Sequence, residues 1–126
     1  MIVYLVRGLP GAGKTTIARM LSSVCLSNDD YWTEPDGTYR VGSRRPAEHQ
    51  RATADTLRRL RMALDAGTAT IAVHNCFVTR DSLEPFKRMA NEYGAKVVLV
   101  TVQSEFQSVH QVPASVIATM RERWQP

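Results

Sequence analysis

Long apolar runs are missing from this sequence, and so are the cysteines that would staple a small fold. The longest hydrophobic stretches, Ile2 to Val6 and Val97 to Val100, are strand-sized, whereas a membrane-spanning helix needs roughly 18 or more apolar residues. The two cysteines, Cys25 and Cys76, have no metal-like spacing and read as reduced thiols rather than a bridge. Repeats and low-complexity tracts are also lacking. The first strand is expected from residue 2, which leaves no place for a signal or transit peptide ahead of it. These absences set the expectation of a cytoplasmic protein without a membrane partner.

What is present suits one domain over residues 1–126, since 44% hydrophobic and 22% charged residues are ordinary globular proportions. The formal net charge of +4 is concentrated: seven arginines lie between Arg40 and Arg61, against Glu48 and Asp55. Such a cluster favours polyanionic partners, nucleic acid above all. It equally fits a solvated helix face on which Asp55 pairs with Arg51, Arg58 or Arg59 at helical spacing.

Strand-like and helix-like segments alternate. Apolar patterning predicts strands over 2–7, 24–28, 69–74 and 96–102, and helices over 14–23, 47–66, 80–93 and from Pro113 to about Trp124. Residues 29–46 read as a polar, turn-rich connection with Pro35-Asp36-Gly37 as its clearest turn. Strands alternating with helices imply an α/β fold, a doubly wound parallel sheet of about four strands with flanking helices. Ligands then sit beyond the carboxyl ends of the strands. That rule gathers Gly8–Thr15, Asn28–Asp30, His74–Phe77 and Gln103–His110 around one crevice.

The first of these loops carries the strongest signal. Gly8-Leu9-Pro10-Gly11-Ala12-Gly13-Lys14-Thr15 fits G-x-x-x-x-G-K-[ST] in full, between a predicted strand and a predicted helix. The spacing lets the backbone wrap an anion with its N–H groups pointing inward, where side chains at Gly11 or Gly13 would crowd the approach. The helix behind adds the positive end of its dipole. Gly8, Pro10, Gly11, Ala12, Gly13, Lys14, Thr15 and Thr16 are therefore the expected nucleotide contacts, as in P-loop NTPases. Lys14 reaches the β- and γ-phosphates and the Thr15 hydroxyl ligates Mg²⁺. ATP and Mg²⁺ are the expected cofactors.

After the second strand comes Ser27-Asn28-Asp29-Asp30-Tyr31-Trp32. An acidic pair there could cap the next turn; beside a phosphate cradle, a carboxylate could accept the proton of a hydroxyl attacking the γ-phosphate. "RGLPGAGKTTIARML" followed by "SNDDYW" resembles the P-loop kinases of the polynucleotide 5′-hydroxyl kinase and NEDD4-binding-protein-like group, most of all the short phage-encoded members. The resemblance continues more loosely through "DGTY", "EPFKRMANEYGAKV" and "VHQVPASVIATMRERW". It implies Lys14 and Asp29 as catalytic residues, Asp29 being the general base and, with Thr15, on the metal side. Asp30 would be a supporting carboxylate.

Three departures bear on that expectation. Larger relatives end the third strand in an acidic Asp-Asn-Thr-Asn-like stretch, where this chain has His74-Asn75-Cys76-Phe77. His74 either touches a phosphate or the acceptor, or is a packed histidine. Relatives also carry lid arginines before the last helix, but Val97 to Met120 contains neither Arg nor Lys. Arg44, Arg45, Arg80, a neighbouring subunit or a protonated His110 would have to supply that charge. Trp32 stands where polynucleotide kinase has a basic residue, and either stacks on a base or packs. The expected activity is transfer of the γ-phosphate to a hydroxyl of a nucleic acid, at a 5′ end or a modified base, or of a nucleoside. The alternative is an ATP-binding module with little or no transferase activity. The sequence does not give the oligomeric state.

Overall fold

The computed structural model describes residues 1–37, 46–103 and 114–126. Four strands form one parallel sheet in the order β2-β3-β1-β4, where β1 is Ile2–Arg7, β2 is Cys25–Leu26, β3 is Thr70–Asn75 and β4 is Lys96–Thr101. The central strands, β1 and β3, are buried on both faces, which is why they read as nearly continuous apolar runs. The alternation expected from the sequence is met, with β2 shorter than 24–28. β2 makes only the pairs Cys25 to Ala72 and Leu26 to Val73 before the chain turns away at Ser27.

Helices cover both faces. Lys14–Leu21, α1, lies on one face and packs Ile17, Ala18 and Leu21 against Tyr4, Val6, Ala72 and Val100. On the other face lie Pro46–Asp65, here α3, and Glu84–Glu92, here α4. There Leu60 and Leu64 of α3 and Phe86 and Ala90 of α4 bury against Val3, Leu5, Ile71 and Val73. Each such leucine or phenylalanine is worth about 1.5–3 kcal/mol of burial, so this second face carries most of the apolar stabilisation. A one-turn helix, Asp29–Trp32 or α2, occupies part of the stretch expected to be turn-rich. The helix expected over 80–93 opens with a 3₁₀ turn, Asp81–Leu83, before α4. Ala114–Arg123, α5, is the last helix. Among the described residues no helix is long and apolar enough to cross a membrane.

Candidate active site

The loop from Gly8 to Gly13 has the backbone that an anion cradle requires. Gly11 and Gly13 take left-handed conformations, φ 81° and 94°, which a side chain would strain. Gly8 is needed for a different reason. A Cβ there would stand 2.7 Å from the carbonyl oxygen of Val102, on the neighbouring strand's exit, where neither backbone can yield. Gly13 is the N-cap of α1 and supplies no side-chain cap, so side-chain capping leaves the first-turn N–H groups of the helix available to an anion. Lys14 reaches back across the loop and donates to the Leu9 carbonyl at 3.0 Å. These features fit a polyphosphate.

Three consecutive residues at the end of β3 tie this cradle to the acidic loop. His74 Nδ1 lies 3.5 Å from Thr15 Oγ1. Asn75 holds Asn28 twice: its Oδ1 accepts from the Asn28 N–H at 2.8 Å and its Nδ2 donates to Asn28 Oδ1 at 3.1 Å. Cys76 Sγ lies 3.8 Å from Lys14 Nζ, and the Cys76 carbonyl accepts from the Gly8 N–H at 3.3 Å. Asn28 is also gripped from α3, donating to Thr53 Oγ1 at 3.1 Å and accepting from the buried Thr56 hydroxyl at 2.7 Å. Asp29 follows directly, its N–H donating to Ser27 Oγ at 3.1 Å. The backbone that presents the Asp29 carboxylate is therefore held by the end of β3, by α3 and by Ser27. The sequence placed Asn28 in the acidic loop but did not show what holds it, because nothing local marks partners 25 to 47 residues apart.

Asp30 is committed elsewhere. Its Oδ2 accepts from the Ser27 N–H at 3.1 Å and pairs with Arg59 Nη1 at 2.8 Å. Arg59 also donates to the Ser27 carbonyl at 2.9 Å and pairs with Asp55 at 3.0 Å. Asp55 pairs in addition with Arg58, and Arg61 with Glu92. Burial works against the Asp55 charge, but the bonds from Arg58 and the adjacent Arg59 guanidinium outweigh it and hold the carboxyl below its usual value. Arg58 and Arg59 thus share Asp55 at helical spacing, and Arg59 and Arg61 reach carboxylates of α2 and α4. Arg44, Arg45 and His110 lie outside the described residues. Trp32 is buried, its ring 4.8 Å from that of Tyr31 and edge-on. Glu48, a turn before Ala52 on the buried stripe of α3, has one buried carboxylate oxygen without a hydrogen-bond partner among the described residues.

His74 is only 9% exposed. Burial pushes its pKa down; Asp30 and Asp29 oppose that, and Lys14 and Arg19 add to it. The unfolded chain therefore takes up this proton first, and the stability it withholds is lost as pH falls below about 6.5. Thermal unfolding of the protein without nucleotide should show a midpoint that drops between pH 7.5 and 5.5. In His74→Gln the drop should be visibly shallower; parallel curves would mean that His74 is not the group responsible.

A buried arginine, Arg7, is the largest feature that the sequence did not announce. It ends β1 immediately before Gly8 and is 1% exposed. Among the described residues no carboxylate meets it. Instead its guanidinium donates to the carbonyls of Phe77 (2.6 and 3.0 Å), Val78 (3.2 Å) and Gln125 (2.6 Å), and lies 4.0 Å over the Trp124 ring. Phe77 has φ 47°, unusual for a bulky residue, and its ring packs edge-on against Phe86.

Among the described residues no group of three or more His, Cys, Asp or Glu could hold a metal by itself. A cation here would be shared with the phosphates, and Thr15 fits that arrangement.

Solved structures with this fold include a candidate kinase of Chloroflexus aurantiacus (TM-score 0.60, 19% identity), covering 80% of this chain and 58% of that one. A chain of the Pnkp1/Rnl/Hen1 RNA repair complex is similar over 97% of this chain and 37% of its own length (TM-score 0.58, 18% identity). A gluconokinase from Sinorhizobium meliloti matches over 98% of this chain and 75% of its own (TM-score 0.63, 14% identity). The chain thus spans 58% and 37% of the length of the first two. At these identities the likeness concerns the fold, which is that of P-loop kinases. A family model described as an AAA domain matches residues 3–111, and the chain belongs to that family, with a kinase-like P-loop fold.

Proposed function

We propose that this chain is a phosphotransferase that moves the γ-phosphate of ATP, with Mg²⁺ or a similar cation, to a hydroxyl group. One observation carries the reading: His74, Asn75 and Cys76 touch Thr15, Asn28 and Lys14 respectively, so one strand end joins the phosphate cradle to the loop that bears Asp29. Backbone N–H groups of residues 8–16 and Lys14 would hold the polyphosphate. Thr15, with Asp29 on the same side, would hold the cation, which when bound neutralises charge on the phosphates. Asp29 would take the proton of the acceptor hydroxyl as its oxygen bonds to the γ-phosphorus. The bond from that phosphorus to the β–γ bridging oxygen breaks, and ADP leaves with the electron pair. Asp30, paired to Arg59, would keep the turn in place rather than meet the acceptor.

The acceptor class we favour is a 5′-hydroxyl end of a nucleic acid, with a hydroxylated base or a nucleoside next. It rests on the resemblance of the cradle and "NDDYW" to polynucleotide kinases, the short phage-encoded ones especially. The likeness to the RNA repair chain adds fold-level support. The second reading, an ATP-binding module, draws on His74 at the strand end where a carboxylate is usual. Labelled γ-phosphate offered with 5′-hydroxyl oligonucleotides, nucleosides and hydroxymethylated DNA separates the two. Label on one acceptor class with stoichiometric ADP is the expected result. Tight ATP binding with no acceptor labelled would give the module reading the lead.

A further inference from the structure

The end of β3 places an imidazole beside Thr15, the hydroxyl expected to hold the cation. Its position is fixed from both sides. His74 pairs with Val6 across the β1–β3 ladder, and α1 brings Thr15 over the same edge. Thr15 Oγ1 and His74 Nδ1 are 3.5 Å apart. Two ligands in adjacent positions of an octahedral ion, each about 2.1 Å from it, stand about 3 Å apart. A shift of roughly half an ångström, well inside the freedom of a threonine rotamer, would let both atoms share one ion.

Donor chemistry decides which ion benefits. Mg²⁺ prefers oxygen ligands and water, whereas imidazole suits first-row transition ions. His74-Asn75-Cys76 offers no carboxylate, so this strand end adds a ring nitrogen to the Thr15 hydroxyl, with Asp29 on the same side and phosphate oxygens completing the set. We propose that His74 is a direct ligand, through Nδ1, to the divalent cation bound with the nucleotide, and that it shifts the preference of this site from Mg²⁺ toward transition ions such as Mn²⁺. The proposal rests on the cradle reading above but not on the identity of the acceptor, nor on transfer taking place.

The test is spectroscopic and uses the whole chain with Mn²⁺ and ADP. Pulsed electron paramagnetic resonance should show a directly bound nitrogen on Mn²⁺, and growth with ¹⁵N-histidine should convert that coupling to the ¹⁵N pattern. The coupling should vanish in His74→Gln, which can still hydrogen-bond Thr15. In His74→Asp the Mn²⁺-to-Mg²⁺ affinity ratio, measured by competition with ADP present, should fall about 10-fold. Bound Mn²⁺ without a histidine nitrogen, or an unchanged ratio in His74→Asp, would overturn the proposal and leave the cradle reading standing. Failure of Mn²⁺ and ADP to bind at all would overturn both. If His74→Gln does not fold, the isotope result on the unaltered chain still decides.

Discussion

Replacing Asp29 with asparagine is expected to lower γ-phosphate transfer by about 10²–10⁴-fold while leaving ATP bound, the usual range for removing a positioned general base. That range corresponds to about 3–5 kcal/mol of transition-state stabilisation. Phosphoryl transfer passes through a loose transition state in which the attacking hydroxyl is little deprotonated, so the lower end of the range is the better estimate. Asparagine keeps the shape of the side chain. The backbone at this position is held independently, by Ser27 Oγ on the N–H side and by the Thr33 hydroxyl on the carbonyl of Asp29. A loss of rate in this variant therefore reports proton handling or cation contact rather than a displaced loop. Lys14→Ala should behave differently, losing nucleotide affinity as well as rate, because its ammonium contributes in ground and transition states alike. Measuring ATP affinity by titration calorimetry beside the transfer rate distinguishes them. Asp29→Asn within about threefold of the unaltered rate would remove Asp29 from the chemistry.

How much of this could be read beforehand depended on whether partners lie close in the chain. The cradle was legible because all its determinants are contiguous: the left-handed glycines, Lys14 and Thr15 fall within eight residues of each other. The parallel sheet followed from alternation, since an apolar run bounded by helices has few other places to go. Helix α2 was read as irregular chain. Its four residues form a turn whose anchor, the bond of Asp30 to Arg59, spans 29 positions. The clamp on Asn28 was invisible for the same reason. Asn75 looked like an unremarkable residue after His74, and Thr56 like an ordinary helix threonine, until β2, β3 and α3 came together. The arginine cluster was ambiguous in the sequence because charge alone does not say whether an arginine faces a ligand or an aspartate four residues away. In α3 the structure pairs Arg58, Arg59 and Arg61 with carboxylates.

Arg7 shows the limit most clearly, since its acceptors lie 70, 71 and 118 positions away. Arg7→Met is expected to destabilise the fold by about 3 kcal/mol, roughly 10 °C in the unfolding midpoint of a domain this size. Two effects oppose each other. A buried guanidinium carries a desolvation cost, expressed here in a pKa lowered chiefly by burial and secondarily by Arg80. Methionine removes that cost. It also strands the carbonyls of Phe77, Val78 and Gln125, each worth about 1–3 kcal/mol if left unmade. Phe77 adds to the loss, because a left-handed non-glycine residue costs about 1–3 kcal/mol and persists only when its surroundings impose it. Arg7 grips the Phe77 carbonyl with two N–H groups. The stranded acceptors outnumber the single relieved charge, which sets the sign. The consequence reaches the site, since Phe77 follows Cys76, whose carbonyl anchors Gly8 and whose sulfur lies beside Lys14. Arg7→Met should therefore weaken nucleotide binding even under conditions where it is fully folded. Trp124→Ala, which keeps all four bonds to the three carbonyls and loses only the ring stacked on the guanidinium, should cost about 1–2 kcal/mol and spare binding. Chemical denaturation with fluorescence detection, followed by ATP titration of the folded variants, measures both. An unfolding midpoint unchanged in Arg7→Met would show that the buried guanidinium contributes nothing net to the fold.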